Sequence, residues 1–160
     1  MSNLNIVRIL KSKPNAAALI SGSPNYADIR GITRFYQTKQ GVLVVTSVSG
    51  LPASSDKCAQ PIFAFHIHEG NKCTGTNEDY FVNAITHYNP YNCPHPYHAG
   101  DMPPLFGADG NAFSAFFTKR FNVTDIIGKT VIIHSNPDDF TTQPSGNSKQ
   151  KIACGIIKYV

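Results

Sequence analysis

The sequence predicts an all-β protein built as a sandwich or barrel, and three observations favour that class. Seven short runs rich in Val, Ile, Phe, Tyr and Thr alternate with turn residues. Gly, Pro, Asn, Asp and Ser punctuate the chain densely between these runs. No stretch keeps the 3.6-residue period of a helix over three turns. A length of 160 residues is typical of one domain with a sizeable core.

The elements follow one another with short turns. The predicted strands are Ala16–Ile20, Gly31–Gln37, Gly41–Val48, Ile62–His68, Ala112–Thr118, Thr130–His134 and Ile152–Lys158. A single helical turn is predicted over Asn122–Ile127, where Asp125 precedes Ile-Ile-Gly. We interpret residues 1–15 as a short N-terminal extension and residues 16–160 as the domain.

Two segments do not fit the strand pattern. Glu69–Met102 is long and poor in strand-forming residues, and Asn136–Asn147 is shorter and equally irregular. A structureless loop longer than about 15 residues in a small domain is usually functional or disordered. The first segment holds three of the six histidines and two of the four cysteines. We therefore expect that a bound metal orders this loop and that a crosslink helps to order it.

Charge and hydropathy exclude several classes of partner. Lysine and arginine exceed aspartate and glutamate by 14 − 10 = +4, with no basic run of five residues, so we expect no nucleic-acid partner. The apolar runs are too short to cross a bilayer, so we expect no membrane partner. Residues 1–15 lack the continuous apolar segment of a secretory signal, which favours a cytoplasmic location. Export and a removed leader stay open.

The pair His66 and His68 is the first candidate for metal binding. With a period of two, Phe63, Phe65 and Ile67 share the face that goes to the core, and the two histidines share the other face. Their imidazoles would lie roughly 6–7 Å apart along the strand and could bind one ion. Two solvated histidines on an exposed strand face are the alternative.

A second candidate lies in the sequence HPYHAGD. His95, His98 and Asp101 are spaced three residues apart, and the prolines and glycine around them prevent a regular helix. A tight loop of this kind can fold its side chains around one cation. Two imidazoles, one carboxylate and one further nitrogen make a tetrahedral set that suits Zn²⁺. A polar loop with incidental histidines is the alternative.

The two remaining histidines lie on other elements. His87 lies between the two candidate groups, in the sequence THYNP. His134 is the last residue of a predicted strand, and a histidine there is ordinarily a hydrogen-bonded polar residue that caps the strand end. Six histidines and Asp101 give seven ligands. Seven ligands fill two adjacent four-ligand sites only if one ligand is shared.

These motifs together resemble one family. HIHEG, THYNP, HPYHAGD, IIHSNPDDF and the terminal SGN with IACGII stand in the order found in copper–zinc superoxide dismutases, over about Ala16 to Lys158. The resemblance implies a flattened eight-stranded Greek-key β-barrel, with immunoglobulin-like sandwich packing and a long metal-binding loop. It also implies an enzyme that converts superoxide to oxygen and hydrogen peroxide. A non-catalytic zinc- and copper-binding relative is the alternative.

The resemblance assigns roles to individual residues. It implies the copper ligands His66, His68, His87 and His134, and the zinc ligands His87, His95, His98 and Asp101. His87 would then bridge the metals and take part in proton transfer. Asp138 would hydrogen-bond both His66 and His95 and so orient a ligand of each metal.

The four cysteines contain no C-x-x-C pair, and their spacing alone leaves three disulfide pairings open. The resemblance implies a bridge between Cys73 and Cys154. Cys58 and Cys93 have no counterpart in the best-known family members. They would form either a second bridge or two free thiols.

Two departures from the family pattern concern the substrate. Lys151 stands where the family has an arginine that guides the anion, so the charge is kept and the planar fork is lost. The loop DDFTTQPSG is short, as in Gram-positive bacterial members, some of which have lost copper ligands and activity. Superoxide is the expected small-molecule partner, and a homodimer stays open.

Overall fold

Eight strands make up most of the regular structure of the computed structural model, which describes residues 5–160. They are β1 (Ala16–Gly22), β2 (Arg30–Thr38), β3 (Gly41–Ser49), β4 (Ile62–His68), β5 (Asp101–Phe106), β6 (Ala112–Thr118), β7 (Thr130–His134) and β8 (Lys151–Tyr159). The helices are α1 (Ile6–Leu10) and α2 (Val123–Ile126), with 3₁₀ turns at Pro24–Tyr26 and Val82–Ala84. No helix within residues 5–160 is long and apolar enough to span a bilayer.

The strands form one antiparallel sheet in the order β5-β4-β7-β8-β1-β2-β3-β6. The edge strands β5 and β6 approach each other, so the sheet nearly closes into a barrel. Strand β1 lies between β2 and β8, and β4 lies between β5 and β7, so neighbours in space are often distant in sequence. This arrangement confirms the predicted eight-stranded Greek-key fold.

Strand β4 is anchored by side chains that it buries in the hydrophobic core. Phe63, Phe65 and Ile67 are at most 1% exposed and pack inside the barrel, as the period of two predicts. Burying such side chains contributes about 1.5–3 kcal/mol each. His66 and His68 on the other face are also buried, because two long loops cover that face. The interpretation of these histidines as solvated surface residues is therefore wrong.

Strand β5 was absent from the predicted strands. It contains Pro103 and Pro104, which cannot donate ladder hydrogen bonds and weaken the strand pattern. The pairing of β5 with β4 shifts register between Phe63 and Phe65, which accommodates this irregularity. The predicted loop therefore ends two residues earlier than its stated limit, at Gly100, because β5 begins at Asp101.

Both short helices contact the barrel at or next to β2. The turn predicted at Asn122–Ile127 is confirmed as α2, and the side chains of Asn122 and Asp125 form a capping box at its start. Helix α1 lies within the predicted extension. Its Ile9 packs against a small cluster that includes Tyr36 and Leu43.

Candidate metal centre

Backbone pairing places two histidine-bearing segments side by side. His68 at the end of β4 forms an isolated antiparallel bridge with His87. On either side of this bridge, Glu69 N donates to Thr86 O at 2.9 Å and Tyr88 N donates to Ile67 O at 2.8 Å. The loop carrying His87 is thereby fastened to the strand carrying His66 and His68. The ring centroids of His66 and His68 are 6.4 Å apart, within the expected range.

Strand β7 brings His134 to the same place, because it pairs with β4 and ends at this residue. Imidazole nitrogens of His66, His68, His87 and His134 all lie within 4.8 Å of one another. All four residues are at most 3% exposed. The four histidines that were predicted as one ligand set therefore form one buried cluster.

Hydrogen bonds fix the tautomers of two members of this cluster. His68 Nδ1 lies 3.0 Å from Ile85 O, and His134 Nδ1 lies 3.3 Å from Lys149 O. A carbonyl oxygen only accepts, so each Nδ1 carries the proton and each Nε2 presents a lone pair. The two Nε2 atoms lie 3.2 Å apart. Two lone pairs facing each other in this way suit a shared cation.

A second cluster surrounds the carboxylate of Asp101. Its oxygens lie 2.8 Å from His87 Nδ1, 3.0 Å from His95 Nδ1 and 3.3 Å from His98 Nδ1. His87 Nδ1 and His98 Nδ1 are 3.4 Å apart. A tetrahedron with metal–ligand distances of about 2.0–2.1 Å has edges of about 3.3 Å. Three imidazoles and one carboxylate at such spacings fit a zinc ion.

The clusters share His87, whose Nδ1 faces Asp101. Its Nε2 is buried and has no hydrogen-bond partner. His66 Nδ1 and His95 Nδ1 are likewise buried without a hydrogen-bond partner, although an Asp101 oxygen lies close to the latter. Buried nitrogens are rarely left unpaired in native structures. Each of these three nitrogens belongs to one of the two clusters, so metal ions would satisfy them all.

Asp138 connects the two clusters by hydrogen bonds to one histidine of each. Its Oδ2 accepts from His66 Nε2 and its Oδ1 accepts from His95 Nε2, both at 2.8 Å. The carboxylate can only accept, so Nε2 of each ring carries the proton and Nδ1 of each is left free as a ligand. The predicted contacts of Asp138 with both histidines are present in the structure.

The loop after β7 allows this contact only because it contains a glycine. Gly146 has φ +65°, and a Cβ there would overlap Asp138 Oδ1 and lie 2.7 Å from His95 Nε2. Glycine meets both demands, the left-handed backbone and the missing side chain. Gln143 in the same loop accepts from His95 N at 2.9 Å and donates to His95 O at 2.7 Å.

Burial favours the neutral form of four of the imidazoles, and the neutral form is the one that binds metal. Burial is the main cause that lowers the pKa of His66, His68 and His98, and it lowers the pKa of His134 to about 3. Burial raises the pKa of Asp101, but the hydrogen bond from His87 and the nearby imidazoles outweigh it and leave that pKa lowered. The cluster therefore offers lone pairs and one carboxylate at neutral pH.

The structure contains the one disulfide that the resemblance implies. Cys73 and Cys154 form a disulfide that ties the long loop to β8. Cys58 and Cys93 are free thiols, so a second bridge is not present. Cys58 is exposed in the loop before β4, and the backbone around Cys93 is held by Asn89, which bonds both its N and its O. The two free cysteines lie in different loops, and local hydrogen bonds hold the backbone of each one.

Lys151 begins β8 and pairs in register with His134. Its Nζ lies 2.5 Å from Asp79 Oδ2, a partner that the sequence pattern did not indicate.

The sequence pattern also did not indicate a role for Arg120. Its guanidinium donates to the carbonyl oxygens of Pro96, His98 and Asp101 at 3.0–3.2 Å. A lone arginine after a strand gives no signal in one sequence. Glu69 pairs with Lys129 at 2.6 Å and belongs to neither cluster.

The chain is similar in sequence to known proteins. A family model described as copper/zinc superoxide dismutase matches residues 29–157. A copper–zinc superoxide dismutase of Aquifex aeolicus is 33% identical over 146 residues, which cover 82% of this chain and 80% of the relative. One from Legionella pneumophila is 31% identical over 136 residues, covering 80% and 77%. A superoxide dismutase-like protein of Bacillus subtilis is 38% identical over 108 residues, covering 58% and 54%.

Proposed function

Since the chain belongs to the copper/zinc superoxide dismutase family, we propose that it converts two superoxide anions and two protons to oxygen and hydrogen peroxide. One superoxide is oxidised and the other is reduced, so the electrons balance. The function calls for a copper ion as the electron carrier and a zinc ion beside it.

The observation that carries this proposal is the sharing of His87 by the two clusters. The cluster of four imidazoles suits copper, because nitrogen ligands favour Cu(II). The cluster of three imidazoles and Asp101 suits zinc. We therefore assign His66, His68, His87 and His134 to copper. We assign His87, His95, His98 and Asp101 to zinc.

When bound, copper would supply one-electron redox chemistry and zinc would hold charge and geometry without changing oxidation state. The protein's part is to place the ligands. Asp138 orients His66 and His95 by two hydrogen bonds, and Gln143 holds the backbone of His95. His87 Nε2 is the nitrogen at which a proton would be held for delivery to the product.

Metal content and activity of freshly purified protein test the proposal together. We expect one copper and one zinc per chain after loading, and superoxide removal that depends on copper. Zinc binding without copper binding or activity would support a non-catalytic metal-binding protein instead. His134→Ala is the matched variant, since it removes a ligand of the copper cluster alone.

We also propose a homodimer. Support comes from an apolar groove of about 600 Å³ on the outer face of β1, β2 and β8, lined in part by Leu19, Ile32 and Tyr159. Leu19 is 74% exposed there. Light scattering should give twice the chain mass for the wild type and for Phe113→Asp, which changes an exposed phenylalanine of β6. Leu19→Asp should give the monomer mass. A wild-type monomer would refute the proposal.

A further inference from the structure

The charge of Lys151 lies close to the copper cluster. Lys151 is paired in register with His134 across β7 and β8. A cation in this position would attract a small anion towards the cluster.

This cation is not free. Lys151 Nζ donates to Asp79 Oδ2 at 2.5 Å, and the two side chains are only 15% and 34% exposed. Partial burial reduces screening by water, so the two charges offset each other more fully than in an exposed pair.

Asp79 is itself held in place. Its Oδ1 accepts from Phe81 N at 3.0 Å, and its main-chain oxygen accepts from Thr76 N at 3.0 Å. The disulfide between Cys73 and Cys154 fastens the same loop to β8, and its cysteines lie six residues before Asp79 and three residues after Lys151 in the sequence. The loop and the strand are therefore joined twice, once covalently and once by charge.

We propose that Asp79 is a positioning residue that holds the ammonium group of Lys151 beside the copper cluster and offsets its charge. The pair then acts on an approaching anion as a nearly neutral unit, and Asp79 limits how strongly Lys151 attracts superoxide. This inference rests on the proposed function, because it concerns the substrate of the same site.

The test is a double-mutant cycle of Asp79→Asn and Lys151→Met, with the rate of superoxide removal measured from low to high salt. Asp79→Asn keeps the oxygen that accepts from Phe81 N and removes the charge. We expect it to raise the rate about two- to fivefold at low salt and to steepen the fall with salt. Lys151→Met should slow the reaction, and the double variant should return close to the wild-type rate.

Glu78→Gln is the matched control. It makes the same change in net charge one residue away, at an exposed side chain with no ion pair to Lys151. We expect it to leave the rate unchanged within twofold. Asp79→Glu keeps the negative charge and should keep the wild-type dependence of the rate on salt. If Asp79 had only a structural role, the rate change in Asp79→Asn would not depend on the salt concentration.

Azide binding to the copper-loaded protein, followed by absorbance, gives a readout without turnover. Asp79→Asn should bind azide about two- to fivefold more tightly at low salt, and the difference should vanish at 1 M salt, where the Debye length is about 3 Å. If Asp79→Asn fails to fold, the double variant, which carries neither charge, is compared with Lys151→Met, in which the carboxylate of Asp79 has lost its lysine partner. The double variant should then bind azide more tightly than Lys151→Met.

Equal azide affinity and equal rates in wild type, Asp79→Asn and Glu78→Gln would overturn the inference, as would weaker binding in Asp79→Asn. An inactive wild type with both metals bound would refute the proposed function alone, since the azide measurements still decide the role of Asp79.

Discussion

The Nε2 atoms of His68 and His134 lie 3.2 Å apart, and in each ring the proton is on Nδ1, where a backbone carbonyl accepts it. Two lone pairs so close together repel each other in the metal-free protein. The fold holds them there because β4 and β7 are paired through the core. Ligand placement is thus imposed by the barrel, and a cation would relieve the repulsion.

Removing the shared ligand should affect both metals. We expect His87→Ala to abolish activity and to weaken zinc binding by more than about 100-fold, a larger loss than for residues that only orient ligands. His134→Ala should abolish activity and leave zinc affinity within about tenfold of the wild-type value. Metal titration with competing chelators measures both. Unchanged binding of both metals in His87→Ala would disprove the shared ligand.

The carboxylate of Asp138 should matter to both metals although it would bind neither. In Asp138→Asn one oxygen is replaced by an amide nitrogen, so either His66 or His95 loses its acceptor. We expect the affinity for at least one metal to fall about 10–100-fold. Asp139→Asn, at the exposed neighbouring carboxylate, is the control and should keep both affinities. Equal affinities in the two variants would mean that Asp138 does not orient the ligands.

Gly146→Ala should disturb the same hydrogen bonds by steric overlap with Asp138. We expect a loss of about 1–3 kcal/mol in unfolding free energy from the left-handed backbone, together with weaker zinc binding. Gly128→Ala is the control, since Gly128 has φ +83° and nothing lies within 4 Å of its added Cβ. Gly128→Ala should share the backbone cost and keep zinc affinity. Zinc affinity that falls equally in both variants would contradict the steric argument.

The disulfide should contribute strongly to stability. Cys73 and Cys154 are 81 residues apart, for which loop-closure entropy gives about 4.5 kcal/mol. We expect Cys73→Ser to lose most of this amount in denaturant unfolding, whereas Cys58→Ser, at an exposed free thiol, should lose almost none. Peptide mapping that finds both thiols free in active protein would contradict the assigned bridge.

Acid should destabilise the metal-free protein through its buried histidines. Their pKa values are lowered in the folded state, so the unfolded chain binds more protons as the pH falls below about 6.5. Each such histidine should lower the unfolding free energy by about 1.4 kcal/mol per pH unit, and for His134 this continues to about pH 3. Urea unfolding between pH 7 and pH 5 measures the slope. A flat profile over that interval would contradict neutral, buried imidazoles.

The strands and ligand candidates could be predicted because they depend on local pattern. The period of two in β4 separates Phe65 from His66, and the count of seven ligands for two sites indicates a shared one. Strand β5 was missed because Pro103 and Pro104 weaken the pattern on which strand prediction depends.

The supporting contacts could not be predicted from pattern because they join distant segments. Gln143 holds the backbone of His95 from 48 residues away, and Asp79 pairs with Lys151 across 72 residues. Gly146 looks like an ordinary turn glycine in the sequence, and only its closeness to Asp138 shows why a side chain cannot stand there.

The most direct test of the central claim is electron paramagnetic resonance of the protein loaded with Cu(II) in both clusters. Two copper ions joined by the single imidazole of His87 should couple magnetically, so the signal of isolated Cu(II) should be nearly lost at low temperature. A signal with the full intensity of two independent ions would show that His87 does not bridge the clusters and would contradict the account.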